Sequence, residues 1–247
     1  MSDVTVRYTD GTYAANNPTW HAEDAPWKAD QIMRVFDPAE KVLRICEVGC
    51  GVGGVLAELG TRLSARGVEA SLHGFDVAPG AIAKARELWA CRPEMTFHDQ
   101  DVLAATTLSY DVYLFIDVLE HLDQPVAFLK ALCARGMRRC IVHLPLENNW
   151  VNIVRGRTDP RRSKVGHLHF FDTHSAIGML EIAGLSIDRW VYTPELDLDV
   201  KLHRTAGSVA AYVPRKALLA LAPALAVHTI GGAAFMANCS FAADSRS

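Results

Sequence analysis

Apolar residues along the chain alternate between two spacings, and the first change of spacing is the sharpest. Val42, Leu43 and Ile45 lead an apolar run into Glu47-Val48-Gly49-Cys50-Gly51-Val52-Gly53-Gly54. Beyond the glycines, Leu56, Leu59 and Leu63 fall at i, i+3 and i+7, the stripe of a helix with one buried side, and Gly67 stops it. The pattern predicts a strand over 42–48, a glycine turn and a helix, the opening unit of a nucleotide-binding α/β domain.

The alternation then repeats. A strand over 70–75 ends at Asp76, and a helix over 79–90 carries Ile82, Ala85 and Trp89 on one face before Pro93 closes it. Met95, Thr96 and Phe97 form a third strand. The continuous run Asp111-Val112-Tyr113-Leu114-Phe115-Ile116 reads as a strand buried on both faces. A helix from Asp123 buries Val126, Leu129 and Cys133 and stops at Gly136; a strand over 139–144 follows. Asp172 or Thr173 caps a late helix that buries Ile177, Leu180 and Ala183. Strands near 185–193 and 233–241 complete seven. Upstream, Asp24 and Pro26 start a helix whose apolar side is Trp27, Ile32, Val35 and Phe36. Strands alternating with helices predict the α/β class.

Composition narrows the organisation. A chain of 247 residues, half of them apolar, suits a single elaborated domain. We divide it into an N-terminal cap or lid (1–38), a core (39–193), a substrate-side insert (194–229) and a final strand and tail (230–247). The net charge of −3 gives no general attraction to nucleic acid or membrane. The six cysteines lack any C-x-x-C pair and read as buried, reduced thiols, and the Ser2-Asp3-Val4-Thr5 start carries no apolar signal, so a cytoplasmic protein is expected. Residues 217–237 are mostly apolar, but Pro223, His228 and Gly231-Gly232 interrupt them, which predicts a buried helix, a turn and a strand rather than a span.

The chemistry starts at the glycines. Gly49, Gly51 and Gly54 satisfy G-x-G-x-x-G, and Gly49, Gly51 and Gly53 satisfy G-x-G-x-G, so a dinucleotide or a purely structural turn stays open at this point. Glu47 favours a ligand with a cationic amine over a pyrophosphate. E-x-G-x-G-x-G resembles the first motif of class I S-adenosyl-L-methionine (SAM) methyltransferases. Asp76 stands twenty-five positions after Gly51, where an acidic strand tip can accept both ribose hydroxyls, although it could equally cap the helix at Pro79. Asp101-Val102-Leu103 resembles the family's turn after the third strand, which makes Asp101, ahead of Asp99, the partner of the adenine amine. Asp117-Val118-Leu119-Glu120-His121-Leu122, then Asp123-Gln124-Pro125, closely resembles the fourth motif, in the branch that holds ubiquinone-biosynthesis and natural-product O-methyltransferases. Gly166-His167-Leu168-His169-Phe170-Phe171-Asp172 resembles that branch's H-x-x-F-F entry to a late helix. The resemblance covers roughly 25–193 and the last strand. It implies a Rossmann-like, seven-stranded, mostly parallel sheet with helices on both faces and an N-terminal helical cap. It also implies SAM as cofactor and S-adenosyl-L-homocysteine (SAH) as product. Glu47, Gly49, Cys50, Gly51, Gly53, Asp76, Val77, Asp101, Val102 and Asp117 are the expected cofactor contacts.

The sulfonium is its own leaving group, so the protein must align the acceptor and free a lone pair on it. His121 is the first candidate base, with His143 and His167 behind it; each could instead be a structural donor. No metal is expected, yet Asp117, Glu120 and His121 with His167 or His169 resemble the E-x-x-E-H…H magnesium set of some O-methyltransferases, with Asp in place of the first Glu. Tyr8, Tyr13 and Trp20 of the cap, His169, and Arg155 and Arg157 are expected to meet the substrate. The two arginines open a run of five cations in ten residues, with Arg161, Arg162 and Lys164, which reads as a solvated loop or as a lid over an anionic acceptor. The expected partner is a small molecule methylated on oxygen, with nitrogen next. No nucleic acid and no stable membrane insertion are expected, and a homodimer is admitted. A SAM-binding subunit without catalysis and a nicotinamide oxidoreductase are the rival functions.

Overall fold

The computed structural model describes residues 22–106, 109–156, 166–194 and 206–241. Seven strands form one sheet: β1 (Val42–Val48), β2 (Glu69–Asp76), β3 (Met95–Asp99), β4 (Val112–Ile116), β5 (Arg139–Pro145), β6 (Ser186–Pro194) and β7 (Ala233–Ser240). Their order is β3-β2-β1-β4-β5-β7-β6. β1 to β5 run parallel, and β7 pairs antiparallel with both β5 and β6. Between them lie α1 (Ala25–Val35), α2 (Gly54–Ala65), α3 (Pro79–Leu88), α4 (Pro125–Ala134), α5 (Trp150–Val154), α6 (Thr173–Ile182), α7 (Ala206–Leu221) and α8 (Pro223–Thr229).

All five residues of β4 are buried, as the unbroken apolar run requires of a strand covered on both faces. Side chains alternate between two cores. Leu43, Ile45, Leu114 and Ile141 meet Ile32 of α1 and Leu56, Leu59 and Leu63 of α2. Cys46, Tyr113, Phe115 and Val142 meet Leu129 and Leu132 of α4 and Leu180 of α6. The late helix is capped by Asp172, not Thr173: its carboxylate accepts from Ser175 N–H while the Ser175 hydroxyl accepts from Asp172 N–H, a complete capping box. Among the described residues between β6 and β7 lie two helices, α7 and α8, split before Pro223. Among the described residues no helix is long and apolar enough to cross a membrane. Five cysteines are buried, but Cys91 is exposed, against the expectation that all six are interior.

β1 is flanked by β2 on one side and β4 on the other, so the strand order reverses at their carboxyl ends. An open α/β sheet receives its ligand in that crevice. Glu47, Asp76 and Asp117 stand at these ends because each closes or nearly closes its strand. Tyr8, Tyr13, Trp20 and Arg157, with Arg161, Arg162 and Lys164, lie outside the described residues.

Candidate active site

The turn after β1 is left-handed at every second residue: φ is +71° at Gly49, +53° at Gly51 and +76° at Gly53. Only glycine takes this backbone without strain. Space forbids a side chain as well, since a Cβ on Gly49 would stand 2.8 Å from Val118 Cγ2 and one on Gly53 2.5 Å from Phe97 Cε1. The N–H groups of Gly49 and Cys50 both donate to Phe75 O, at 2.8 and 3.1 Å, which ties the turn to β2. Glu47 is only 2 % exposed, and its Oε2 has no hydrogen-bond partner among the described residues. Burial pushes its carboxyl up to about 8, against the opposing charge of Lys28 and a hydrogen bond from Leu56 N–H.

Asp76 holds the turn from the other side. Its carboxylate accepts from Gly51 N–H at 2.8 Å and from Ala78 N–H at 2.9 Å, and Val77 N–H also supports it. A carboxylate has about four lone-pair positions, so accepting from the backbone leaves capacity toward the crevice. Burial raises the Asp76 pKa, partly offset by those N–H groups. Asp101 is exposed and caps the short turn Val102–Ala104 by accepting from Leu103 N–H at 2.8 Å, with Val102 buried behind it. Asp99 ends β3 opposite Asp76.

Asp117 follows β4 in a left-handed conformation, φ +54°, the one non-glycine residue so placed among those described. Its Oδ2 meets Lys28 Nζ at 2.9 Å, and its Oδ1 accepts from His143 Nδ1–H at 2.6 Å. His143 Nε2 in turn is hydrogen-bonded to the Thr193 hydroxyl at 3.0 Å. Lys28 also pairs with Asp24 at 3.0 Å. This chain of contacts joins α1, β4, β5 and β6 at one point. Burial opposes the Asp117 charge, but His143 and Lys28 outweigh it and hold its pKa below the usual carboxylate range. His143, a candidate base in the sequence, therefore sits 1 % exposed with both ring nitrogens engaged. Lys28 escaped the sequence reading. The signal was there: a cation on the apolar side of a helix, between Ala25 and Ile32 and one turn after Asp24.

The turn Leu119–His121 carries the second half of the site. Glu120 is 0 % exposed, and neither carboxylate oxygen has a hydrogen-bond partner among the described residues. Burial, then the nearby Asp117 charge, push its pKa well above the ordinary value. Its backbone carbonyl accepts from Leu168 N–H at 2.8 Å and His169 N–H at 3.2 Å, which clamps 166–169 against the turn. That clamp brings His167 to His121, with ring centroids 4.8 Å apart and edge to face. His121 Nδ1 lies 3.1 Å from Gly166 O, and His167 Nδ1 lies 2.7 Å from Glu147 Oε2. A carbonyl and a carboxylate can only accept, so Nδ1 is the donor in both contacts, and a neutral ring so anchored has its lone pair at Nε2. One donor atom each from Glu120, His121 and His167 lies within 4.8 Å of the others. Two imidazoles and an orphaned buried carboxylate fit a divalent cation.

Asp117 and His169 do not join this group. Asp117 is committed to Lys28 and His143. His169 Nε2 turns to Leu122 O at 2.9 Å, beside an open apolar pocket of about 440 Å3 with Pro125, Phe171 and Met179. Arg155 is exposed at the end of α5. Glu147, just past β5, is the other residue the sequence reading missed, and no local pattern marks it.

Comparison with known proteins agrees with this geometry. A family model described as a methyltransferase domain matches residues 20–189. The ubiquinone biosynthesis O-methyltransferase of Parvibaculum lavamentivorans is 34% identical over 96 residues, 39% of this chain and 36% of that protein. That of Cereibacter sphaeroides is 39% identical over 93 residues, 36% of this chain and 35% of that protein. The aligned segments thus span about a third of these curated relatives. Solved structures share the fold. Magnesium protoporphyrin IX methyltransferase from Synechocystis with bound SAH superposes with a TM-score of 0.56 at 17% identity, covering 92% of this chain and 86% of that one. The mitomycin 7-O-methyltransferase MmcR gives 0.57 at 16%, covering 88% and 54%. Phosphoethanolamine N-methyltransferase 2 of Haemonchus contortus with SAM gives 0.59 at 13%, covering 92% and 57%. With the family model spanning more than half of its length, the chain belongs to the SAM-dependent methyltransferase-domain family and has the class I fold.

Proposed function

We propose that the protein transfers the methyl group of SAM to a hydroxyl oxygen of a small, anionic biosynthetic intermediate. The observation that carries this reading is the convergence of Glu120, His121 and His167 just beyond the β4 end of the crevice. A site that only had to align a neutral aromatic amine, whose lone pair is already free, would not need such a group.

The cofactor half fits SAM on its own terms. Glu47 offers its unpartnered Oε2 to the methionine ammonium, and the side-chain-free turn at Gly49, Cys50, Gly51 and Gly53 lets the nucleoside lie against the backbone. Lys28 has three N–H donors and two carboxylate partners, so one donor is left for the methionine carboxylate. Asp76 turns its remaining lone pairs to the ribose, and Val77, Asp101 and Val102 border the adenine. Asp117 holds Lys28 in place. Bound SAM supplies an electrophilic methyl on a sulfonium. The protein's task is to hold the acceptor in line and keep water out.

At the acceptor, Glu120, His121 and His167 would hold a divalent cation, a departure from the metal-free expectation that rests on the orphaned Glu120 carboxylate. Such an ion lowers the pKa of a bound hydroxyl. Without it, Nε2 of His121 takes the hydroxyl proton as general base, with Gly166 O keeping the ring in the correct tautomer. Tyr8, Tyr13, Trp20, Arg155, Arg157 and His169 remain the candidate acceptor contacts.

The test is calorimetry with SAM and SAH, followed by transfer from labelled SAM to a panel of catechols, phenols and aromatic amines, before and after chelation. Transfer to catechols or phenols that stops on chelation is expected. Full transfer after chelation removes the cation and leaves the histidine base. Transfer to the amines alone moves the acceptor to nitrogen, and no binding of SAM or SAH ends the proposal.

A further inference from the structure

Three features of the Glu120–His121–His167 group bear on which ion it would hold. First, Asp117, three residues before Glu120, is withdrawn: both of its oxygens are engaged, one by Lys28 at 2.9 Å and one by His143 at 2.6 Å. The donor set is therefore one carboxylate and two imidazoles rather than a set dominated by carboxylates. Second, both rings are anchored through Nδ1, and one nitrogen of each lies in the group of donor atoms within 4.8 Å of one another. Third, the anchors differ. His121 leans on a neutral carbonyl, whereas His167 leans on Glu147, a carboxylate 5 % exposed and supplied by the loop after β5. A carboxylate behind an imidazole fixes its tautomer and orientation and makes the other nitrogen a stronger donor.

We propose that Glu147 is a positioning residue that acts through His167, and that the centre it supports takes a transition dication such as Mn2+, Co2+ or Zn2+ in preference to Mg2+. The inference rests on the cation reading of the site given above. Its chemistry is that of ligand preference. Mg2+ seeks oxygen donors and keeps its waters, while imidazole nitrogen suits the later first-row ions, for which affinity climbs along the series. With Glu120 as the single carboxylate, nitrogen supplies two of the three protein donors. Glu147 adds to the preference, because electron density pushed onto His167 Nε2 strengthens a bond to Co2+ or Zn2+ more than a bond to Mg2+.

The test uses the full chain stripped with chelator. Co2+ is titrated in while its visible d–d absorption is followed, and Mg2+, Mn2+ and Zn2+ then compete. We expect one Co2+ per chain, a spectrum of nitrogen and oxygen donors, displacement by Zn2+, and no displacement by Mg2+ in excess. Glu147→Ala is expected to weaken Co2+ by about 10–100-fold and to change the d–d spectrum, the range typical for loss of such an anchor. Glu147→Gln keeps an acceptor for His167 Nδ1–H and recovers most of the affinity. SAH affinity stays at the wild-type value in both variants. A chain that binds no dication overturns the cation reading itself. A chain that binds Co2+ but yields it to Mg2+ at similar concentration overturns the preference while leaving that reading intact. Glu147→Ala with unchanged Co2+ affinity and spectrum, or with Co2+ and SAH affinity falling together as in a partly unfolded chain, overturns the role of Glu147.

Discussion

Glu47 makes a prediction that can be worked through in numbers. Its carboxyl is 2 % exposed and titrates near 8 in the ligand-free protein, because burial disfavours the charge more than Lys28 restores it. A ligand ammonium needs the carboxylate form. At pH 6 roughly a hundredth of the molecules carry it, at pH 7 roughly a tenth and at pH 8 about half, so SAH affinity should rise about tenfold from pH 6 to 7 and about fivefold from 7 to 8. Across that window the gain is about 50-fold, or about 2.3 kcal/mol, with close to one proton released per SAH bound at the acid end. The assay is SAH titration calorimetry at several pH values, repeated in buffers of unlike ionisation enthalpy to count the proton. Glu47→Gln should bind more weakly at pH 8 and show no such slope. The sign for stability runs the other way. The folded-state pKa lies above the ordinary 4.5, so the folded protein holds the extra proton, and ligand-free stability should fall as pH rises from about 4.5 to 8. Glu47→Gln should remove that fall. A flat wild-type SAH profile between pH 6 and 8, or the same slope in Glu47→Gln, refutes the assignment of Glu47 to the amine.

Other perturbations follow from the same contacts. Lys28→Met leaves Asp24 and Asp117 facing each other's space without a cation, and should cost about 3 kcal/mol in urea unfolding, with part of it returned by adding Asp117→Asn; a loss below about 0.5 kcal/mol would show the pair to be solvated. Gly53→Ala meets both a left-handed backbone and a Cβ 2.5 Å from Phe97, so it should abolish measurable SAH binding, and Phe97→Leu beside it should restore little because the φ of +76° remains. Thr193→Val removes the hydrogen-bond partner of His143 Nε2 and should lower stability by about 1 kcal/mol with SAH affinity unchanged, as read by thermal unfolding and calorimetry.

Much of the fold was legible because it is written locally. The switch from strand to helix spacing at 42–63 marks β1, the turn and α2, and the unbroken apolar run at 112–116 marks a central strand. The turn residues were legible too, since left-handed backbone and close approach to Val118 and Phe97 leave glycine no substitute. What stayed hidden is pairing across the fold. Nothing beside Asp117 says that Lys28 of α1 and His143 of β5 will claim its two oxygens, and nothing beside His167 says that Glu147 stands behind its ring. In the sequence His121 leads as candidate base, with His143 and His167 behind it and His169 set at the substrate. Burial and the choice of Nδ1 partner separate them: His143 is locked inside the sheet, His169 bonds a carbonyl beside another pocket, and His121 and His167 face Glu120. Such distinctions depend on strand order and loop clamps, which residue spacing does not encode.

The most direct measurement is a crystal structure of the full chain with SAH. The account predicts the amino group against Glu47 Oε2, the ribose hydroxyls on Asp76, and the sulfur on the side of the cleft toward Glu120, His121 and His167. An SAH molecule bound away from the turn at Gly49–Gly53, or one whose ribose makes no contact with Asp76, contradicts it.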